Sequence, residues 1–587
     1  MSRTELPTSR ALRRMLREAP ALRRGLGITV LLASLGTAIQ LGVPVVVQLI
    51  VDNEILDPSG IDVGNVLTLG ASAVAAMLVA MAVRRMALVR LADRAAEGLS
   101  DLRVKTFAHL HALSVLHVES ERRGALVARV TSDIVAIQDF VDWGGVGLMI
   151  GSAQVVLAMA AMLMYQWKLA LLVLAGVIVY ALLLLWFQRI LQRLHDQVRS
   201  RVANSLAAMS EAISGLTVIR AYGGEAPTME KVEEVFEDEF RTSVRTFSLG
   251  SALFSSAEIF AGAITAAVIG VGVLTGAAEG TSAGTLLAML FLVTLLVEPV
   301  QTLVETLDQA QSAAAGVRRI VNVLETEIDV ADPRDGQELP GGPLDVDVSG
   351  VYFRYPTGGD VLVDITTHIP AGARIAVVGE TGSGKSTFTK VVTRLLDPTT
   401  GNVRIGGVPI DRIRLTSLRE HVSFVPQEGF LFDATIAENV RYGRPDASDA
   451  DVAAAFQDLS LDDWIALLND GLATRVGERG TQLSAGERQL VALARAWIAA
   501  PGVLVLDEAT SAVDPALEVR IRQAMERLTE GRTSITVAHR LSTAEAADLT
   551  LVFHEHRLVE VGTHHDLVAA DGVYARLHSD WMAGTSA

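Results

Sequence analysis

Six long apolar stretches, near 26–50, 64–83, 144–164, 169–187, 250–276 and 284–304, dominate the first half of the chain. Each approaches the roughly 20 residues a helix needs to cross hydrocarbon, so six transmembrane helices are expected. Glu258 and Glu298 interrupt the fifth and sixth. A carboxylate inside hydrocarbon is costly, so each points to a polar or cationic substrate or a proton, or else to a helix–helix hydrogen bond or an interfacial position. Polar stretches of about sixty residues separate spans two and three, and spans four and five, and keep helical periodicity with no strand signal. Stretches that long rarely lack structure, so the spans are expected to continue as long helices, with turns near Leu116-His117-Val118 and Ala221-Tyr222-Gly223-Gly224 that reach the second half of the chain. Ahead of the first span, Leu12, Met15, Leu16, Ala19 and Leu22 recur at helical spacing with arginines between them. This pattern fits an amphipathic helix on an anionic inner leaflet, or a plain solvated helix.

The pattern changes after the sixth span, which runs on through Val317 to Leu324. Asp332-Pro333-Arg334-Asp335-Gly336 and Pro340-Gly341-Gly342-Pro343 then break all periodicity. The expected division is therefore a membrane domain over 1–325, a linker over 326–343 and a second domain over 344–587. In that second domain Leu344-Asp345-Val346-Asp347-Val348 alternates as a strand. Ile375-Ala376-Val377-Val378 and Val503-Leu504-Val505-Leu506 read as buried strands beside helices. The predicted fold is an α-helical membrane domain of six transmembrane helices followed by an α/β domain built on a P-loop.

Charge adds orientation. The chain has 587 residues, a net charge of −17 and a mean hydropathy of +0.37, which suggests an acidic soluble part joined to a membrane part. Arg10, Arg13, Arg14, Arg17, Arg23 and Arg24 precede the first span, whereas the loop from Asp52 to Asp62 has acids and no Lys or Arg. This bias puts the N-terminus in the cytoplasm, and an even number of spans returns the chain after Leu303 to the same side. A multi-pass protein of the plasma (inner) membrane is expected. The N-terminal segment has no short apolar stretch with a small-residue cleavage site, so a removable signal peptide is not. There is no cysteine, so a metal must be held by oxygen or histidine ligands.

The chemistry concentrates in the second half. Gly379-Glu380-Thr381-Gly382-Ser383-Gly384-Lys385-Ser386 fits G-x-x-x-x-G-K-[ST], and Thr387 follows it. In that motif glycines let backbone N–H groups converge on phosphates, Lys385 reaches the β/γ oxygens and Ser386 ligates Mg²⁺. The strand Ile375–Val378 leads into it and a helix opens at Ser386, the context in which the motif binds phosphate. Downstream, the strand Val503–Leu506 ends in Asp507-Glu508, an arrangement in which Asp507 supports Mg²⁺ and Glu508 polarises an attacking water. ATP and Mg²⁺ are the expected ligands.

Leu483-Ser484-Ala485-Gly486-Glu487, about a hundred residues after the P-loop, resembles the signature of ABC-family ATPases. Nearly the whole chain resembles the exporter branch of that family. The resemblance implies ATP hydrolysis coupled to transport, with two nucleotide-binding domains enclosing two ATP–Mg²⁺. In it Ser484, Ala485, Gly486 and Glu487 would complete the site of a partner domain. Tyr355 would stack on adenine, although the residues alone also fit a strand-face tyrosine. Gln427, in Val425-Pro426-Gln427, would touch Mg²⁺ and the attacking water. Asp514 would cross the dimer interface, and His539, in Val537-Ala538-His539-Arg540, would contact the γ-phosphate. Thr474 to Gly480, with Glu478, resembles the segment that senses the coupling helices, and Gly124 to Asp133 and Ile219 to Glu225 resemble the coupling regions.

One departure matters. The family's usual signature has Gly and Gln where this chain has Ala485 and Glu487. The methyl and the negative charge would both weaken the completed site, which favours a non-identical second half-transporter over a homodimer. The remaining expectations are a lipid or other small-molecule substrate, hydrophobic or amphipathic, moved outward through the bilayer. An importer on the same architecture, of the siderophore-uptake kind, is the alternative. Six spans argue against the non-transport ABC ATPases of DNA repair or translation, and no nucleic-acid partner is expected.

Overall fold

The computed structural model describes residues 13–585 except 16, 57–60, 121–122, 280–281, 357, 508–513 and 539. The chain divides into two compact units, Met1–His111 with Arg123–Thr326, and Ala112–Arg122 with Glu327–Ala587.

The first unit contains six helices long and apolar enough to cross a membrane: Leu26–Ile55, Val63–Ala112, Leu126–Tyr165, Trp167–Ser214, Glu225–Leu274 and Ala283–Leu324. Each contains its expected apolar stretch or all but its end, and five run far beyond it, as the periodicity of the polar stretches and the continuation of the sixth through Leu324 predicted. Large apolar side chains face outward, with Leu67 67 % and Leu274 81 % exposed, the arrangement that hydrocarbon favours and water does not. Facing sides bury smaller or shape-matched groups. Met162, Leu169, Val173, Val268 and Leu292 pack together, and Tyr180 stacks on Phe260 with ring centroids 4.1 Å apart.

The sixth helix carries Pro299 in its interior. Proline has no N–H, so the carbonyl of Leu295, four residues earlier, loses its helical donor. Gln154 of the third helix supplies one instead, its Nε2 donating to Leu295 O at 2.8 Å. A freed carbonyl in a membrane helix needs such a donor, because lipid offers none. Further along the same helix Gly316 lies against the backbone of Asp133, where an added Cβ would come within 2.9 Å of the carbonyl oxygen. Arg319, one turn on, binds the Asp133 carboxylate through Nε and Nη2.

Two expectations are corrected here. Met15 and Ala19 are buried against Leu99, Leu102, Ile134 and Ile320, so the face expected on the leaflet packs on protein. Leu12 and Leu16 lie outside the described residues. The expected turn at Leu116-His117-Val118 is a short helix, Val115–Ser120, because the chain bends before it at Leu113-Ser114. The second turn is as predicted: Gly223 ends the helix Leu216–Tyr222 in the left-handed region, at φ 65°. Ala112–Arg122 belongs to the second unit, whereas Gly124–Asp133 stays with the first, which also holds the helix Arg123–Val130 and the Asp133–Arg319 pair.

The second unit is α/β. Its strands are β1 Val346–Arg354, β2 Asp360–Ile369, β3 Arg374–Gly379, β4 Thr400–Ile405, β5 Val408–Pro409, β6 Val422–Val425, β7 Val503–Asp507, β8 Thr533–Val537, β9 Leu549–His554 and β10 Arg557–Gly562. They form an antiparallel sheet, β2-β1-β4-β5, and a six-stranded sheet, β10-β9-β3-β8-β7-β6. In the latter β9, β3, β8, β7 and β6 are parallel neighbours. A parallel sheet covered on both faces requires continuous apolar runs, and Ile375–Val378 of β3 and Val503–Leu506 of β7 are buried at every position. Within this unit Leu116 packs on the apolar core beside β1 and β3, and Ser114 Oγ donates to Asp329 at 3.0 Å.

Candidate functional site

Loops at the carboxyl ends of parallel strands are where open α/β sheets bind ligands. Here β3 ends in the glycine loop, β7 ends at Asp507 and β6 leads through Pro426 to Gln427. Register aligns them: Val377 pairs with Val537, Val537 with Asp507, and Leu506 with Val425. Gly379, Asp507 and Gln427 therefore emerge along one edge. Ala538 follows β8 on that edge, between the P-loop and Asp507. The residues after these two, His539 and Glu508, lie outside the described residues.

The loop is built by backbone conformations that only glycine adopts easily. Gly384 caps the helix Lys385–Val392 at φ 105°, and an added Cβ would lie 2.6 Å from Val361 O. Gly382, at φ 85°, has open space where its Cβ would be. Lys385 is 7 % exposed, and its Nζ donates to Gly379 O at 2.7 Å and Glu380 O at 2.8 Å. Burial pushes its pKa below the ordinary lysine value, while the carboxylates of Asp507 and Glu380 oppose the shift. Asp507 is thus close enough to act on Lys385 electrostatically.

The donor set fits a triphosphate with its cation. Ser383 Oγ is buried with no hydrogen-bond partner among the described residues, Lys385 supplies a positive charge, and Thr381, Gly382 and Ser386 are exposed or beside open space. Ser386, Asp507 and Gln427 offer the hard oxygen ligands that Mg²⁺ prefers. Tyr355 stands at the same place. Its hydroxyl lies 3.1 Å from Thr387 Oγ1 and its ring meets Phe353 edge-on.

The signature segment occupies a different part of this unit and is shaped by capping. Ser484 caps the helix Ala485–Ala499 in a reciprocal box: its Oγ accepts from Glu487 N, and its N–H and O–H both donate to Glu487 Oε2 at 2.8 Å. Trp464 Nε1 donates to the other oxygen, Oε1, at 3.2 Å. The Glu487 charge is therefore bound to its own helix terminus, where the macrodipole favours an anion. Ala485 is an exposed first-turn residue within the helix, so its methyl brings no backbone strain. Sequence reasoning missed Trp464, which stands 23 residues from Glu487 in the chain.

Glutamine at 487 has one accepting atom where this pocket presents donors to two. Glu487→Gln is therefore expected to destabilise the second unit by about 1 kcal/mol, read as a lower melting temperature. A variant melting at or above the wild type would show that the indole and the carboxylate are not matched. Burial raises the Glu487 pKa, but the Ser484 and Trp464 hydrogen bonds lower it and prevail. That contribution is present above the ordinary Glu value and is lost as pH falls through the lowered one.

Asp514 caps the helix Pro515–Thr529, accepting from Ala516 N at 2.9 Å. The 474–480 segment is pinned on both sides: Ile436 N donates to Thr474 O, and Arg488, one residue past Glu487, donates to Leu483 O at 2.8 Å and reaches Gly480 O. Glu478 begins a short turn there.

Two family descriptions match the chain: "ABC transporter transmembrane region" over residues 26–300 and "ABC transporter" over 362–511. The chain is 33 % identical over 484 residues to the ATP-dependent lipid A-core flippase of Pseudomonas fluorescens, covering 82 % of this chain and 80 % of that one. It is 31 % identical over 479 residues to the probable multidrug resistance ABC transporter ATP-binding/permease protein YheI of Bacillus subtilis, covering 81 % of each. A solved bacterial Atm1-family ABC exporter with ATP bound superposes with a TM-score of 0.77 at 28 % identity, over 96 % of this chain and all of the other.

Proposed function

The chain belongs to the ABC transporter family, an ATP-hydrolysing membrane translocase of the exporter type, and from that premise we propose that it is one half of a pump that moves a hydrophobic or amphipathic molecule outward. One observation carries the reading: a phosphate loop, Asp507 and Gln427 share one sheet edge in a chain that also has six membrane-length helices. Similarity to a lipid A-core flippase, a probable multidrug transporter and an Atm1-family exporter favours outward movement of a lipid or other apolar molecule over import.

In the proposed cycle Tyr355 stacks on adenine, the loop from Gly379 to Thr387 wraps the phosphates, and Lys385 exchanges its loop carbonyls for phosphate oxygens. Ser386, Asp507 and Gln427 would hold Mg²⁺, which would offset the charge of the phosphates. Glu508 polarises the attacking water, and His539 contacts the γ-phosphate. Ser484 to Glu487 of a second half-transporter closes the other side, with Asp514 at the interface. Closure passes through the Gly124–Asp133 and Ile219–Glu225 regions to the membrane helices, which switch access from inside to outside. The cytoplasmic side for the N-terminus and the ATPase follows from the arginines before the first span, and the plasma membrane is the proposed location.

The altered signature favours a non-identical partner, whereas the capping box that absorbs the Glu487 charge favours two copies of this chain. The test is reconstitution of the purified chain alone in vesicles. ATP-driven loss of a fluorescent lipid analogue or amphipathic dye from the ATP-facing leaflet, with solo hydrolysis, is the homodimer result. Turnover that appears only when a second half-transporter is added is the heterodimer result. Substrate movement in the opposite direction would overturn export.

A further inference from the structure

Away from the nucleotide edge, three helices bring imidazoles and a carboxylate together. Glu545 ends the helix Leu541–Glu545, His564 begins the helix His564–Ala569, and His578 lies on the helix Val573–Thr585. One potential ligand atom from each of Glu545, His564 and His578 lies within 4.8 Å of the other two. The rings of His564 and His578 stand 5.3 Å apart at 54°.

The cluster has an outer shell. His564 Nδ1 lies 2.8 Å from the hydroxyl of Tyr574, whose side chain is fully buried. That contact fixes the imidazole plane and leaves Nε2 as the nitrogen without a role in it, the arrangement by which proteins orient metal-binding histidines.

We propose that Glu545, His564 and His578 form a binding site for a borderline divalent transition metal, Zn²⁺ being the best-fitting ion. Two imidazoles and a carboxylate make a three-ligand set that leaves a fourth position for water. Ligand atoms about 2.1 Å from a tetrahedral ion stand about 3.4 Å apart, inside the 4.8 Å that bounds these three, so the cluster can close on an ion by small side-chain movements. Glu545 is exposed and His578 half-buried, so both have room to turn inward. The chain has no cysteine to compete for such an ion. A second group, Asp345, Asp347 and His368, is less suited because His368 Nδ1 is already bonded to Asp347 at 2.6 Å. Bound metal would tie the helix that starts two residues after His539 to the C-terminal helices.

The test titrates the full-length chain in detergent micelles with Zn²⁺ alone, without nucleotide, in competition with a chromophoric chelator. One Zn²⁺ per chain is expected. His578→Ala should weaken it at least about 100-fold, and Tyr574→Phe, which removes only the orienting hydroxyl, by roughly 10–100-fold. His368→Ala should bind as the wild type does, and ATP binding by the His578 variant shows that it has folded. Co²⁺ in place of Zn²⁺ should give the visible absorption of a low-coordinate site, lost in His578→Ala. Equal affinity in wild type and His578→Ala, or zinc that disappears with His368, would overturn the proposal.

Discussion

Glu508→Gln is expected to slow ATP hydrolysis about 10²–10⁴-fold while ATP still binds, the signature of removing a general base without touching the binding groups. Glu508 directly follows Asp507, the last residue of β7, whose carboxylate acts on Lys385 across the site. Glutamine keeps the shape and removes the basic oxygen. In the proposed cycle hydrolysis reopens the closed pair, so the variant should also accumulate with nucleotide trapped. Hydrolysis rate and equilibrium binding of a fluorescent ATP analogue, measured on one preparation, separate the two effects. Undiminished turnover would move the base to another residue or assign the competent site to a partner half.

Gly379→Ala should remove nucleotide binding itself. Gly379 has φ 148°, and a Cβ there would come within 2.2 Å of Phe553 O on the neighbouring strand β9. The nearest obstacle is backbone, so no side-chain rotation relieves it. The loop has to move or β3 and β9 have to part, at a cost of at least about 3 kcal/mol. A shift at residue 379 also moves Gly379 O, one of the two carbonyls that position Lys385 Nζ. ATP affinity should fall at least about 100-fold, which is what about 3 kcal/mol produces at this temperature. Gly382→Ala, where the same methyl meets open space on the protein side, should be less damaging to the fold. Wild-type ATP affinity in Gly379→Ala would mean that the β3–β9 contact yields easily.

The spans, the P-loop strand and the Asp507 strand were legible because each depends on a local pattern: about 20 apolar residues, or a short apolar run before glycines. What sequence could not supply were contacts between distant positions. Nothing near Glu487 announces Trp464, and a signature read alone makes the carboxylate a liability when its indole partner stands 23 residues away. Met15 and Ala19 have a pattern that suits a lipid surface and a protein surface equally, and only packing against Ile134 and Ile320 separates the two. Gln154 likewise gives no sign in the sequence that it serves the carbonyl freed by Pro299.

The short segment Ala112–Arg122 changes how the two halves are joined. The chain passes between units at 111/112, at 122/123 and again at 326/327, three covalent crossings instead of the single one a linker would make. It also means that a fragment beginning at Glu327 lacks part of its own surface: Leu116 is gone from the core beside β1 and β3, and Asp329 loses Ser114. The excised ATPase would expose an apolar patch that the intact chain keeps dry.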